Sequence, residues 1–272
     1  MKTTVLLVFI LFITSVIRVS AFNSFPPEKD TTKFRVKDLK IWVIDDKDTT
    51  KKDTLLTDNH KKHTKKMKVW TGLDLGANGF INADYNDFTV PAAYKYLEVD
   101  YSRSRTFSFN FLEKDIPVFK EYFQIATGLG IEWDNFKFSH NTRLFNDSGR
   151  IGGYLDTIKL SSSKLRLTYI NLPVLLSFNT SSNPKNSVHF AAGIILGYNI
   201  GAMTKVIYYD NGERKKEKTR GDYAINPFRY GLTARFGIGK ISTFLTYQLN
   251  TLFETDKGPE LYPFSAGLSW IF

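Results

Sequence analysis

The chain has 272 residues, no cysteine, and 37 Lys and Arg against 27 Asp and Glu, a formal charge of +10. The missing cysteines exclude disulfides, thiolate metal sites, a cysteine nucleophile and a lipidated N-terminal cysteine. A mean hydropathy of −0.24 excludes a polytopic helical membrane protein. Aromatic residues make up 15% of the chain, with 23 Phe, 14 Tyr and 4 Trp, enough to furnish both interfacial girdles of a membrane barrel.

Residues 1–21, MKTTVLLVFILFITSVIRVSA, carry the three parts of a secretory signal. Lys2 is the basic start, Val5 to Ile13 form the apolar core, and Val19-Ser20-Ala21 supply the small or compact cleavage positions. The core is too short to span a bilayer comfortably as an anchor. Removal of Lys2 and Arg18 lowers the charge by two. An exported chain this basic is expected to meet anionic lipid or sugar phosphate, and no nucleic acid.

Residues 22–67 are dense in Lys, Asp and Thr around one apolar island, Leu39 to Ile44. They predict a flexible periplasmic extension with one short hairpin around Ile41-Trp42-Val43. Asp45, Asp46 and Asp48 lack the glycine and terminal glutamate of a calcium loop. Lys61, Lys62, Lys65, Lys66 and Lys68, with His60 and His63, read as a solvated linker or as a contact with a phosphate-bearing surface.

From residue 68 to 272 the hydrophobic period is two, the signature of strands. Tyr262, Phe264, Ala266, Leu268, Trp270 and Phe272 share one face, with Pro263, Ser265, Gly267 and Ser269 opposite. Phe228, Tyr230, Leu232, Ala234 and Phe236 alternate likewise with Arg229, Gly231, Thr233, Arg235 and Gly237. In "VHFAAGIILGYNIGA" the glycines through Gly201 fall opposite the large residues. Eight strands are predicted, near 69–81, 97–111, 120–138, 164–178, 187–208, 225–237, 241–254 and 261–272. They are longer than the ~5–6 residues of globular strands and match the ~9–11 needed to span a bilayer. Glycine on the polar face suits a crowded small barrel. "LEKDIPVFKE", "NTSSNPKNS" and "GIGKIS" read as compact turns, while the intervening connections are mostly longer or more charged. The predicted fold is therefore all-β, an eight-stranded antiparallel transmembrane β-barrel with termini and short turns in the periplasm. A secreted soluble β-sandwich is the alternative.

"WTGLDLGANGFIN", "YLEVDYSRSRTFSFNF", "TGLGIEWDNFKF", "YINLPVLLSF", "NPFRYGLTARFGIG" and the final "GLSWIF" resemble, in this order, the Bacteroidetes-type outer-membrane β-barrels called PorT-like. The resemblance covers residues 68–272 and, loosely, the extension. It implies insertion by the outer-membrane assembly machinery, which reads a C-terminal aromatic, here Trp270 and Phe272 of the girdle. It also implies possession by some relatives of roles in protein secretion, but no reaction.

Asp74, Glu132, Arg229 and Arg235 are expected to face inward and pair, because an eight-stranded barrel is just wide enough for side chains to fill. Arg103 and Arg105, with Arg214, Lys215, Lys216 and Lys218 of the long fifth connection, are candidates for contact with lipopolysaccharide phosphates. His140, beside Ser139 and Asn141, is the one rim histidine that could serve a lipid hydrolase or protease, yet it has no acidic partner at readable spacing. No serine elbow, phosphate loop or zinc signature appears, so no cofactor is expected. The expected function is a non-enzymatic outer-membrane barrel, structural in the envelope or associated with secretion-system proteins. The alternatives are a narrow pore or small-ligand channel and, further off, a lipid-acting barrel enzyme.

Overall fold

Alternating faces need partners on both sides, and in this chain the pairing runs all the way round. The computed structural model describes residues 33–36, 39–42, 68–81, 83, 85, 90–119, 123–181 and 187–272. The chain divides into two units, Met1–Lys62 and His63–Phe272. In the first, β1 (Lys33–Val36) and β2 (Leu39–Trp42) form an antiparallel hairpin with Phe34 opposite Ile41. The secretory signal, the Asp45–Asp48 segment and the lysine run before Lys68 lie outside the described residues, as does the flexibility expected of the extension.

The second unit begins with β3 (Gly72–Ile81), followed by a 3-10 turn at Ala92–Leu97, β4 (Arg105–Phe119) and β5 (Phe123–Lys137). A hairpin of β6 (Thr142–Asp147) and β7 (Arg150–Leu155) precedes β8 (Leu160–Asn179) and β9 (Val188–Asp210). Then come β10 (Glu213–Arg220), β11 (Phe228–Ile238), β12 (Ile241–Gln248) and β13 (Tyr262–Ile271). Eight strands close in the order β3-β4-β5-β8-β9-β11-β12-β13, with β13 returning to β3, every pair antiparallel. Closure removes the free edges of an open sheet. Among the described residues β10 pairs with β9 alone, as a ribbon continuing past the ring.

Three features depart from the sequence-based expectation. The second strand is displaced: it runs Arg105–Phe119, so "LEKDIPVF" is strand and not turn, and residues 92–97 are a 3-10 turn. A bulge is the cause. Asn110 pairs with Gly130 and Leu112 with Leu129, so Phe111 is the extra residue. Parity flips there, which turns Glu113 inward and hides the alternation. The long third and fifth connections are also not plain loops, since they fold as β6–β7 and as the β9–β10 ribbon. Finally, Gly201 leaves the interior. β9 shifts register against β8 between Thr168/Gly201 and Tyr169/Asn199, so Gly201 points out and Thr204 points in.

The outer surface is apolar where a soluble barrel would be polar. Leu75, Leu232, Leu245, Leu268 and Trp270 are each more than half exposed. Inside, aliphatic and aromatic side chains collect at both ends, and polar ones fill the middle. At the loop end Phe80, Leu97, Phe136, Phe138, Leu165 and Phe253 belong to one buried cluster, with Phe80 stacked on Phe136 at 4.8 Å. At the turn end Val69, Trp70, Ala126, Leu175, Ala191 and Ile195 form a second.

Candidate functional site

The interior charges gather into two groups. In the first, the Arg235 guanidinium on β11 reaches across to Asp74 on β3, with Nη2 on Oδ2 at 2.6 Å and Nη1 on Oδ1 at 3.1 Å. Asn110 of β4 donates to Asp74 Oδ2 at 2.8 Å, and Ser269 of β13 donates to Oδ1. The guanidinium lies over the Trp70 ring at 4.6 Å and near Phe244 at 5.7 Å. A two-pronged pair of this kind is stronger and more directional than a point contact, and here it ties together four strands.

The second group is centred on Arg229, also of β11. Its Nη2 meets Glu132 Oε1 at 2.7 Å and Asn171 Oδ1 at 3.0 Å, while Nη1 meets Asp134 Oδ2 at 2.9 Å. Asn171 donates to Glu132 Oε2 at 2.6 Å, Asn78 donates to Asp134 Oδ1 at 3.2 Å, and the Tyr169 ring covers the guanidinium at 3.7 Å. Asp74, Glu132, Arg229 and Arg235 are thus brought together in two clusters. Asp134 is not among the residues expected from the sequence, although its parity with Glu132 on β5 signals it. The hollow beside Arg229, lined in part by Asp134, Tyr169 and Gln248, has about 10 Å³, scarcely room for one water.

The turn end is stoppered by the chain itself. Glu113, turned inward by the bulge, accepts the amide hydrogens of Val69, Trp70 and Thr71 at 2.9, 3.0 and 2.6 Å, and the Thr71 hydroxyl at 2.8 Å. Trp70 is 1% exposed. A carboxylate receiving several amides is a strong, local anchor, and it fixes the entering segment in the mouth of the ring.

The basic candidates are dispersed over the loop end. Arg103 lies in the turn before β4 and pairs with Asp100 at 3.5 Å. Arg105 starts β4 on its outward face and donates to the Ser104 carbonyl at 2.9 Å. Arg214, Lys216 and Lys218 share one face of β10, whereas Lys215 lies on the other and pairs with Asp210. Trp270 and Phe272 are outward at the turn end, 61% and 48% exposed.

His140 does have an acidic neighbour: Glu98 Oε2 lies 2.8 Å from Nε2. The two are 42 residues apart in the chain, a separation no spacing rule reveals. Among the described residues His140 hydrogen-bonds no serine hydroxyl, and the nearby Ser163 hydroxyl donates to the Thr142 carbonyl instead. Arg143 of β6 is held by Asp156, just past β7, and clamps the hairpin to β10 through Glu217, which also accepts from the Tyr208 hydroxyl at 2.7 Å. The Arg143 hydrogen bond holds the Asp156 carboxyl below its usual range, and Tyr208 and then Arg143 do the same for Glu217.

Residues 72–253, from the start of β3 past the end of β12, match the family model described as outer membrane protein beta-barrel domain. No curated protein matches the sequence significantly. With the ring of eight antiparallel strands, the apolar outer wall and the polar interior, the chain belongs to the outer-membrane β-barrel protein family.

Proposed function

We propose that this is a non-enzymatic, non-conducting barrel of the outer membrane, PorT-like in kind, which serves as a structural or secretion-associated component of the envelope. Its termini face the periplasm and its long loops face outward. The observation that carries this reading is the filled interior. Arg235–Asp74 and the Arg229 cluster occupy the middle of the ring, Trp70 occupies the turn end, and the Phe136 cluster occupies the loop end. The signal-like residues 1–21 and the asymmetry between short turns and long connections support the orientation. Such a barrel acts through its surfaces, toward lipid, the assembly machinery and envelope or secretion-system proteins. Planar-bilayer recording tests it: the folded protein should give no steady conductance steps, and reproducible ohmic steps would turn the reading to a narrow pore or small-ligand channel.

One observation favours a second reading, the lipid-acting enzyme: the His140–Glu98 pair at 2.8 Å. A base held by a carboxylate is two-thirds of a hydrolytic triad. Lipid A or phospholipid turnover by the purified barrel that disappears in His140→Ala would establish it. Equal and negligible turnover in both proteins would retire it.

A further inference from the structure

Outward of the apolar band, the barrel wall carries a row of four lysines that the ladder sets directly opposite one another. Lys137 on β5 pairs with Lys164 on β8, Lys164 with Lys205 on β9, and Lys205 with Lys218 on β10. Each has outward parity. Phe136, Leu165 and Thr204, beside three of them in the chain, are buried in the interior. Like charges facing each other across a ladder destabilise a sheet, and here three such pairs follow in succession. Lys205 is ringed by the charges of Lys216, Lys164, Arg166 and Lys218. Among the described residues none of the four row lysines forms an ion pair. Asp100, which lies near Lys137, is held by Ser102 at 2.6 Å and by Arg103.

The next row toward the band continues the pattern. Arg105 is opposite Asn135, Asn135 opposite Arg166, Arg166 opposite Met203, and Met203 opposite Arg220. Arg166 is aimed by its Nε, which donates to Asn135 Oδ1 at 2.8 Å. Arg166 and Arg220 line a surface hollow of about 300 Å³ whose other walls include Met203, Ile200 and Gly201. The hollow exists because of the β8–β9 register shift, which turns Gly201 outward, where nothing lies within 4 Å of the place a Cβ would take. One row further in stand Trp133 and Phe107, stacked at 5.4 Å, where an aromatic girdle is required. The lysine row is four residues beyond Trp133, roughly 13 Å along the strand, which is the depth of lipid headgroups and not of acyl chains.

We propose that this wall, from the start of β4 across β5, β8 and β9 to β10, is a binding ledge for the phosphate groups of outer-leaflet lipopolysaccharide, with the apolar hollow below taking part of the lipid beneath the headgroup. Two rows of cations match a polyanionic headgroup better than the single charge of an ordinary anionic phospholipid. A bound polyanion relieves their mutual repulsion. The proposal rests on the loops facing outward. It relocates the contact foreseen from the sequence: Arg105 and Lys218 belong to the ledge, Arg103 and Lys215 are engaged by Asp100 and Asp210, and Lys137, Lys164, Arg166, Lys205 and Arg220 are new.

The test uses the full-length folded barrel in detergent and native mass spectrometry or titration with lipopolysaccharide, its dephosphorylated form and phosphatidylglycerol. Intact lipopolysaccharide should bind at least tenfold more tightly than either comparator. The preference should fall to less than threefold in Lys164→Gln/Lys205→Gln and remain in Lys240→Gln, a charge removal at the β11–β12 turn. Heat-modifiable mobility confirms that each variant is folded, and Lys164→Arg/Lys205→Arg, which keeps the charge, should restore binding. Equal affinity for the dephosphorylated form, or an unchanged preference in the double glutamine variant, overturns the ledge. Equal affinity for phosphatidylglycerol overturns lipopolysaccharide as its occupant. The orientation is read separately. Because the chain has no cysteine, Asn211→Cys at the β9–β10 turn should react with a membrane-impermeant maleimide on intact cells. Absence of reaction, with reaction restored after lysis, overturns the orientation and with it an outer-leaflet ligand, whatever the binding arms give.

Discussion

Glu113 takes the amide hydrogen of Trp70 at 3.0 Å and so holds that ring against the Arg235 guanidinium, 4.6 Å away. The contact joins a backbone irregularity to the closure of the barrel. Without the extra residue at Phe111, parity would point Glu113 at lipid, where a carboxylate is costly, and the Trp70 segment would have no acceptor for three successive amides.

Replacing Glu113 by Ala therefore should loosen the stopper while leaving the ring intact. Hydrogen bonds to a charged group contribute about 1.5–3 kcal/mol each, and partial solvent access shrinks the sum. The expected loss is about 2–4 kcal/mol of unfolding free energy, read from the fall in the urea midpoint of the heat-modifiable band, with Glu113→Gln intermediate. In a background with Trp42, Trp133 and Trp270 changed to Phe, Trp70 emission should shift to the red. Unchanged emission in Glu113→Ala would mean that the ring is held by packing alone.

Asp74 and Arg235 make a sharper test, since both are buried and each leaves the other stranded. Asp74→Ala should cost about 3–5 kcal/mol, the range for an orphaned buried charge. The double replacement Asp74→Leu/Arg235→Met should recover most of that loss, because a packed apolar pair avoids the desolvation of both ions. A double variant as unstable as the single one would show that Asn110 and Ser269, which also bond Asp74, depend on the carboxylate more than the arginine does.

How far these features can be read from the sequence depends on distance along the chain. Alternation is local, so the apolar wall, the inward side of Asp74 and Arg235, and the closing strand Tyr262–Ile271 follow from period two. The bulge at Phe111 is a matter of pairing with β5, and its strand carries Glu113, Lys114 and Asp115, which imitate a turn. The strand therefore lies eight residues later than alternation alone predicts. Glu98 and His140 are brought together by the isolated bridge between Val99 and Phe138, and only the fold supplies it. The lysine row is the same kind of fact: Lys137, Lys164, Lys205 and Lys218 are unremarkable singly, and their alignment is a property of register.

The Arg143 clamp predicts an acid sensitivity confined to the loop end. Asp156 and Glu217 both titrate below the ordinary carboxylate range because Arg143, and for Glu217 first Tyr208, bind the charged form. A depressed folded-state value stabilises the fold fully above the unfolded value. That contribution is lost as pH falls through the folded value. Hydrogen-exchange protection in the β6–β7 hairpin, taken relative to the intrinsic rate at each pH, should therefore stay high from pH 7 to about 5 and fall below about 4. In Arg143→Ala the hairpin should exchange quickly at neutral pH and lose this acid step. Persistence of the step in that variant would assign it to other carboxylates.

Two glycines four residues apart on β9 should respond oppositely to the same substitution. Gly197 lies directly across from Arg229, and a Cβ there would fall 2.7 Å from Arg229 Cγ and Nε and 2.9 Å from Asn171 Oδ1. Gly197 is thus the space through which the guanidinium reaches Glu132 and Asp134. Gly197→Val should evict it and cost about 3–5 kcal/mol, the range for breaking a buried pair. Gly201, beyond the register shift, faces out with open space around it. Gly201→Val should change stability by no more than about 0.5 kcal/mol, as a substitution away from packed contacts does. An uninterrupted β9 would put both glycines on the inner face and make both substitutions severe, so the difference between the two urea midpoints measures the shift itself.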